Sequence, residues 1–125
     1  MRELRSEFNS KGVDYTQIHK DTKLVIYQCC SHYNDIDDIY YEVFRYKIGG
    51  MNPMAADYDP NEKVESYPKD NSFGVWAWCC SNWKCVYNIL KLRFGYTDEY
   101  IVNLVSLNAK LAQLGDVVGN MPPIR

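Results

Sequence analysis

The chain has 125 residues, of which 46% are hydrophobic and 24% are charged, and its formal net charge is −2 at pH 7. This length suits one domain with a sizeable hydrophobic core. A charge so near zero argues against binding to bulk nucleic acid or to anionic membranes, because both need a basic excess. The opening MRELRSEF carries charges where a signal peptide needs an apolar run, and no stretch is apolar enough to span a membrane. We therefore expect a soluble, cytoplasmic protein.

The first 30 residues predict a short helix and then a β-hairpin. Leu4 and Phe8 recur at helical spacing, which predicts a short N-terminal helix over residues 2–9. Alternation in residues 15–19 and the apolar run 24–30 predict two strands joined by a turn.

An acidic cluster, Asp35, Asp37 and Asp38, precedes the next predicted strand. A metal or catalytic role is conceivable, but the pattern favours a solvated loop because no histidine or glycine geometry accompanies the carboxylates. The side chains of residues 39–48 alternate between two faces as in a strand, and the face that is partly exposed to solvent carries Arg45 and a lysine.

Residues 49–72 read as a long loop, punctuated by glycine and proline. Residues 57–61 imitate the opening of a calcium loop. The sixth position is Glu62, where glycine is needed, and the twelfth is Pro68, where glutamate is needed. We therefore reject calcium binding at this segment.

The most informative stretch is residues 67–94, which reads as a turn, an apolar strand and an amphipathic helix. Both faces of residues 73–80 are apolar, which predicts a strand in the centre of its sheet. Ser81 is a suitable N-cap, and apolar residues then recur at helical spacing up to Gly95, which is suited to end the helix.

Two blocks carry a resemblance: Y-E-V-F at residues 41–44 and Y-P-x-D-x-x-F-G-x-W-A-W at residues 67–78. They resemble small uncharacterised proteins carried by bacterial phages and prophages. The resemblance covers residues 40–94, about half of the chain. It implies a source and a fold, but no reaction.

Residues 97–115 predict a second helix, capped by Thr97, in which Lys110 is the only charge after Tyr100. A helix so poor in charge favours packing against a second copy of the chain, and burial within one copy is the alternative. The tail, residues 116–125, is stiffened by two prolines and ends in an arginine.

The predicted fold is therefore α+β, in a single domain over residues 1–125. A small antiparallel sheet of three to four strands is covered by two C-terminal helices, with a short N-terminal helix in addition. Its core spans residues 13–94, and residues 97–125 form an oligomerisation helix and tail.

The five cysteines are an odd number and lack the Cys-x-x-Cys spacing of zinc sites. We read them as small buried residues in a reducing compartment, and we expect no metal and no cofactor. Nucleophilic catalysis needs a nucleophile beside a base. Since no such pairing is visible, we expect a protein that is not an enzyme.

The abundance of tyrosine and tryptophan favours a binding protein instead. We expect a pocket between subunits that holds a small phosphorylated nucleotide, closed by a neighbour's arginine-tipped tail. With the phage resemblance, its role would be that of a counter-defence sponge that sequesters a host signalling nucleotide. The alternative is an inhibitor or assembly module that acts on a host protein. The candidate ligand-binding residues are Arg45, Phe73, Asn82, Trp83, Arg93 and Arg125.

Overall fold

A computed structural model describes residues 1–32 and 37–107, without the side chains of residues 70 and 105–107. Within these ranges none of the helices is long and apolar enough to cross a membrane. The strands are β1 (Glu7–Ser10), β2 (Val13–Lys20), β3 (Val25–Ser31), β4 (Asp38–Phe44), β5 (Lys47–Gly50), β6 (Lys63–Ser66) and β7 (Ala77–Cys80), and the helices are α1 (Trp83–Leu92) and α2 (Asp98–Leu107).

The main sheet has five strands in the order β1-β2-β3-β4-β7, and every neighbouring pair is antiparallel. Strands β5 and β6 form a separate two-stranded sheet. Helices α1 and α2 share one hydrophobic core with one face of the main sheet. The α+β class and the two C-terminal helices are therefore confirmed, whereas the prediction of three to four strands was too low.

The predicted N-terminal helix is wrong, because this segment pairs as a strand. Lys11 and Gly12 both have positive φ values, 52° and 80°, and form the two-residue turn of a hairpin between β1 and β2. Such a turn matches the twist of the flanking strands. An isolated helix of two turns is marginal in water, and in this fold Phe8 instead stacks on Tyr15 across the hairpin, with ring centroids 4.5 Å apart.

The apolar strand predicted over residues 73–80 is shorter than expected and lies at the edge of the sheet, not in its centre. Gly74 has a φ of 89°, and its N–H donates to the carbonyl of Ala77 at 2.7 Å. The chain therefore turns over residues 74–76 and enters the strand only at Ala77. As a result Val75 is 72% exposed.

The segment predicted as one strand over residues 39–48 is divided between β4 and β5, which belong to different sheets. At the break, the N–H of Arg45 donates to the carbonyl of Trp76 at 3.0 Å. The predicted loop 49–72 contains β6, which pairs with β5. The small sheet is anchored to the N-terminus, where the N–H of Arg2 donates to the carbonyl of Lys63 at 2.8 Å.

The helix boundaries follow local capping signals. The N-cap of α1 is Asn82 and not Ser81, since the Asn82 side chain accepts a hydrogen bond from the N–H of Cys85 at 2.9 Å. Gly95 ends the turn after α1 with a φ of 70°, and Thr97 caps α2 by accepting from the N–H of Tyr100 at 3.1 Å. These two predictions are confirmed.

Each face of the main sheet carries its own hydrophobic core. The helix face holds the fully buried Trp83 together with Leu90, Ile101 and Leu104. The opposite face is built largely from aromatic rings, which include Tyr27, Phe44, Phe8, Tyr15 and Tyr67.

The first turns of α2 are buried within one copy of the chain, through Ile101 and Leu104. This packing corresponds to the monomeric alternative for these two positions. The rest of the predicted oligomerisation helix, from residue 105 onward, and the tail 116–125 lie outside the residues whose side chains the structure describes. Self-association through residues 97–115 therefore stays a prediction.

Candidate functional site

A cleft of about 600 Å³ lies between the hairpin β5–β6 and the turn segment that leads to β7. We call it the basic cleft, because the described side chains that line it include two lysines and no carboxylate. The lining residues are Lys47, Ile48, Gly49, Ser66, Tyr67, Lys69, Asn71, Ser72, Val75 and Trp76. This composition favours an anionic ligand with an apolar part.

The indole of Trp76 forms one wall of the basic cleft, and its side chain is half-buried. The Nζ atom of Lys47 lies 4.6 Å from the centroid of this ring. A cation above an aromatic face is attracted by the negative quadrupole of the ring. The amine therefore covers one face of the indole, so a flat ligand that stacks on that face must displace it.

Tyr67 lines the cleft and also packs against the aromatic core of the main sheet. Its ring packs edge-on against Phe44, with centroids 4.9 Å apart. Its hydroxyl is buried and has no hydrogen-bond partner within the described part of the chain. A buried polar group without a partner costs about 1–3 kcal/mol.

The turn segment that carries Lys69 is held by backbone hydrogen bonds. A short 3₁₀ helix, Asp70–Ser72, follows Pro68, whose fixed φ prepares the turn. The N–H of Ser72 donates to the carbonyl of Lys69 at 2.9 Å, and the N–H of Val75 donates to the carbonyl of Ser72 at 3.1 Å. Residues of this turn segment thus form one wall of the cleft.

A second cleft, of about 660 Å³, lies between the N-terminal segment and β6. Arg2 and Arg5 line it, but so do Glu3 and Glu65. Arg2 is paired with Asp57 at 2.8 Å. Because positive and negative charges are balanced here, this cleft has no evident preference for an anion.

Two of the predicted site residues, Asn82 and Trp83, lie at the start of α1 and have structural roles. Trp83 is fully buried and packs edge-on against Tyr41, with ring centroids 6.5 Å apart. The side-chain oxygen of Asn82 is used as the helix cap. In this conformation neither residue offers a surface on which a base could stack.

Arg45 and Arg93 lie near the other end of α1, about 15 Å from Asn82 along a ten-residue helix. The guanidinium of Arg45 lies 5.2 Å from the ring centroid of Phe94, the neighbour of Arg93. Phe73 is half-buried in the aromatic core on the opposite sheet face. Arg125 lies outside the described residues.

The six predicted site residues therefore do not converge on one pocket within the described part of one copy. Sequence reasoning missed Lys69 and Trp76 as lining residues and treated Tyr67 only as part of a turn. The sequence feature that could have indicated Lys69 and Trp76 is their position in the aromatic block 67–78, where they flank a tight turn.

The thiols are poorly suited to nucleophilic catalysis. Burial raises the pKa of Cys29 and of Cys80 well above the ordinary thiol value. Cys79 is exposed, but desolvation, the Glu42 carboxylate and other acidic neighbours raise its pKa as well. Since the thiolate is the reactive form, these cysteines are less reactive at neutral pH than a free cysteine.

Comparison with protein-family models, with curated proteins and with solved structures finds no match to this chain. The resemblance of residues 40–94 to phage and prophage proteins therefore stays a prediction from the sequence.

Proposed function

We propose that this chain is a non-enzymatic binding protein that holds a small phosphorylated nucleotide in the basic cleft. The observation that carries the proposal is the lining of the cleft, in which Lys47 and Lys69 adjoin an aromatic wall and no described side chain is a carboxylate. Lysine ammonium groups bind phosphate as point charges. Indole rings stack on bases of any sequence, because every base has a π face.

The dimensions of the cleft agree with such a ligand. Its volume of about 600 Å³ lies within the 300–1,000 Å³ or so that is usual for small-molecule sites. The base would lie against Trp76 and displace or slide beside the Lys47 amine. The phosphate would then take the side of the cleft where Lys69 lies.

The proposed role is sequestration and not turnover. The raised pKa values of the thiols at Cys29, Cys79 and Cys80 support this role, because they lower the fraction of reactive thiolate at neutral pH. If the chain has the phage source that its sequence suggests, capture of a host signalling nucleotide would make it a counter-defence protein. This biological role rests on the resemblance and not on the cleft.

The basic cleft is formed by a single copy, so binding there does not require a second subunit. Self-association through residues 97–115 is a separate part of the proposal. It would bring the tail of a neighbouring copy to the bound ligand, where the guanidinium of Arg125 would supply a further positive charge.

Tryptophan fluorescence tests the site directly. We expect nucleotides to quench the emission of the wild-type protein, to do so less in Trp76→Phe, and to quench normally in Trp78→Phe, whose ring packs against Phe94 on the helix face. We expect Lys69→Ala to weaken binding and Lys63→Ala, an exposed lysine outside the cleft, to leave it unchanged.

The ligand series separates charge from stacking. A nucleoside, its monophosphate, its triphosphate and a cyclic dinucleotide are titrated at low and at high salt. We expect affinity to rise with phosphate charge and to fall with salt. Equal binding of the uncharged nucleoside, or the same quenching in Trp76→Phe as in the wild type, would contradict the proposal.

One observation favours the second candidate, a protein-binding module. Leu92 is 81% exposed, Val75 72% and Ile48 56%, and the last two border the basic cleft. Apolar side chains that form a contiguous exposed patch mark protein interaction sites, and Ile48 and Val75 line the same cleft. Pull-down with Val75→Asp and Leu92→Asp as paired variants tests this candidate, because a specific partner would be lost in at least one of them.

A further inference from the structure

We propose that Cys30, His32 and Asp37 form a binding site for a zinc-class divalent metal ion, at the end of β3 and β4 that lies away from the basic cleft. The site is independent of the proposed nucleotide binding. The thiol, an imidazole nitrogen and a carboxylate oxygen of these residues all lie within 4.8 Å of one another.

The sheet itself brings the donors together. Cys30 and His32 are two residues apart at the end of β3, and alternate residues of a strand point to the same face. Asp37 immediately precedes β4. Because Asp38 pairs with Ser31 across the two strands, Asp37 lies close to His32, the residue that follows Ser31. Asp14 on β2 is the direct cross-strand partner of Cys30. Four candidate metal-binding or orienting groups, from β2, from β3 and from the connection between β3 and β4, thus meet at one end of the sheet.

The hydrogen bonds of His32 hold its ring between two carboxylates. Its Nδ1 atom lies 2.7 Å from a carboxylate oxygen of Asp37, and its Nε2 atom lies 2.9 Å from a carboxylate oxygen of Asp14. A neutral imidazole has one N–H group and can satisfy one carboxylate only. The other contact needs a further positive charge, which is either a second proton or a metal ion between the nitrogen and the carboxylate.

A metal ion on the Nδ1 side would be held by His32, Asp37 and the thiolate of Cys30, while Nε2–H donates to Asp14. Histidine ligands in metalloproteins usually donate their second ring N–H to a carboxylate, which fixes the tautomer and the ring orientation. Asp14 is therefore assigned as a positioning residue and not as a ligand.

The donor set selects the class of metal. Thiolate, imidazole and carboxylate together suit zinc and cobalt better than magnesium or calcium, which prefer oxygen ligands alone. Tetrahedral zinc with ligand bonds of about 2.0–2.3 Å holds its ligand atoms roughly 3.3–3.7 Å apart. The Nδ1 atom of His32 and the Asp37 oxygen, now 2.7 Å apart, must therefore separate to admit the ion, and the thiol must adjust to meet it. His32 and Asp37 are exposed and Cys30 is half-buried, which leaves their side chains free to make this adjustment. Three protein ligands leave the fourth position to water.

Sequence reasoning missed this site because it searched for the Cys-x-x-Cys spacing of a turn. A Cys-x-His pair on a strand serves the same purpose, since residues two apart share a face. The sequence pattern of the acidic cluster favours a solvent-exposed loop, because no histidine lies within the cluster. His32 precedes the cluster in the chain and reaches Asp37 only when β3 pairs with β4.

Titration of the full, reduced chain with Co²⁺ tests the proposal. We expect a thiolate-to-cobalt charge-transfer band together with tetrahedral d–d bands that saturate at one equivalent, and competition by Zn²⁺. Cys30→Ser is expected to lose the charge-transfer band, and His32→Gln to weaken binding at least tenfold. Cys79→Ser and His19→Gln, which alter an exposed cysteine and a paired histidine elsewhere, are expected to behave as the wild type.

The role of Asp14 has its own readout. Because it acts through His32, Asp14→Asn is expected to keep the charge-transfer band and to lower the affinity roughly tenfold to a hundredfold. Far-UV circular dichroism of each variant separates loss of binding from loss of folding. Absence of the charge-transfer band in the folded wild type, or the same band in Cys30→Ser, would overturn the site. Weak binding that is equal in all variants would overturn it as well, since it would mean adventitious surface association.

Discussion

The carboxylate of Asp21 ties helix α2 to the turn between β2 and β3. Tyr96 donates its hydroxyl to this carboxylate at 2.6 Å, Tyr100 does so at 3.2 Å, and a ring nitrogen of His19 lies 2.9 Å away. The backbone N–H groups of Lys23 and Leu24 donate to its other oxygen at 2.8 and 3.0 Å. We therefore expect Asp21→Asn to destabilise the fold.

The size of this effect follows from the pKa. Burial alone would raise the pKa of Asp21, but the hydrogen bonds from Tyr96, His19 and the backbone outweigh burial and lower it from 3.8 to about 2. This difference corresponds to about 2 kcal/mol of folding free energy, because one pH unit is worth 1.36 kcal/mol. The folded-state pKa is depressed, so the contribution is complete above about pH 4 and is lost as the pH falls towards 2.

Urea denaturation followed by tryptophan fluorescence measures the effect. At pH 7 we expect Asp21→Asn to lower the free energy of unfolding by about 2 kcal/mol, and we expect the gap to narrow between pH 4 and pH 2. Asp57→Asn serves as the control, because that carboxylate is exposed and paired with Arg2 on the surface. A gap that stays constant down to pH 2, or an Asp21→Asn protein as stable as the wild type at pH 7, would refute this reasoning.

Three further predictions concern the cores. Trp83→Ala should cost about 3–5 kcal/mol in urea denaturation because the ring is fully buried, whereas Leu92→Ala, at a side chain 81% exposed, should cost little. Burial raises the pKa of Glu42 to about 7, above its unfolded value, so the wild type should lose stability as the pH rises from about 5 to 8. Glu42→Gln should abolish that loss, and a flat wild-type profile would show that the carboxyl is not buried. Of the five cysteines two are buried, so a thiol reagent should label at most three in the native protein, and Cys79→Ser, which removes an exposed thiol, should lower that number by one.

The sequence determined the elements whose signals are local. Strands β2 and β3 follow from alternation and from an apolar run, and their hairpin follows from the polar turn between them. The end of α1 at Gly95 and the start of α2 at Thr97 follow from capping chemistry, which depends on a few neighbouring residues. The α+β class with C-terminal helices was therefore predictable from the order of these elements.

Only the tertiary structure decided the features that depend on distant pairing. Residues 7–10 carry a helical spacing, yet they form a strand because β2 offers them hydrogen bonds and an aromatic partner. An apolar pattern on both faces predicted a central β7, but it is an edge strand beside β4. The same holds for the two sites: Lys47 meets Trp76, and His32 meets Asp14, across strands and turns that are far apart in the chain. Periodicity reports which face of an element is apolar, whereas the identity of the neighbour is fixed by how the whole chain packs.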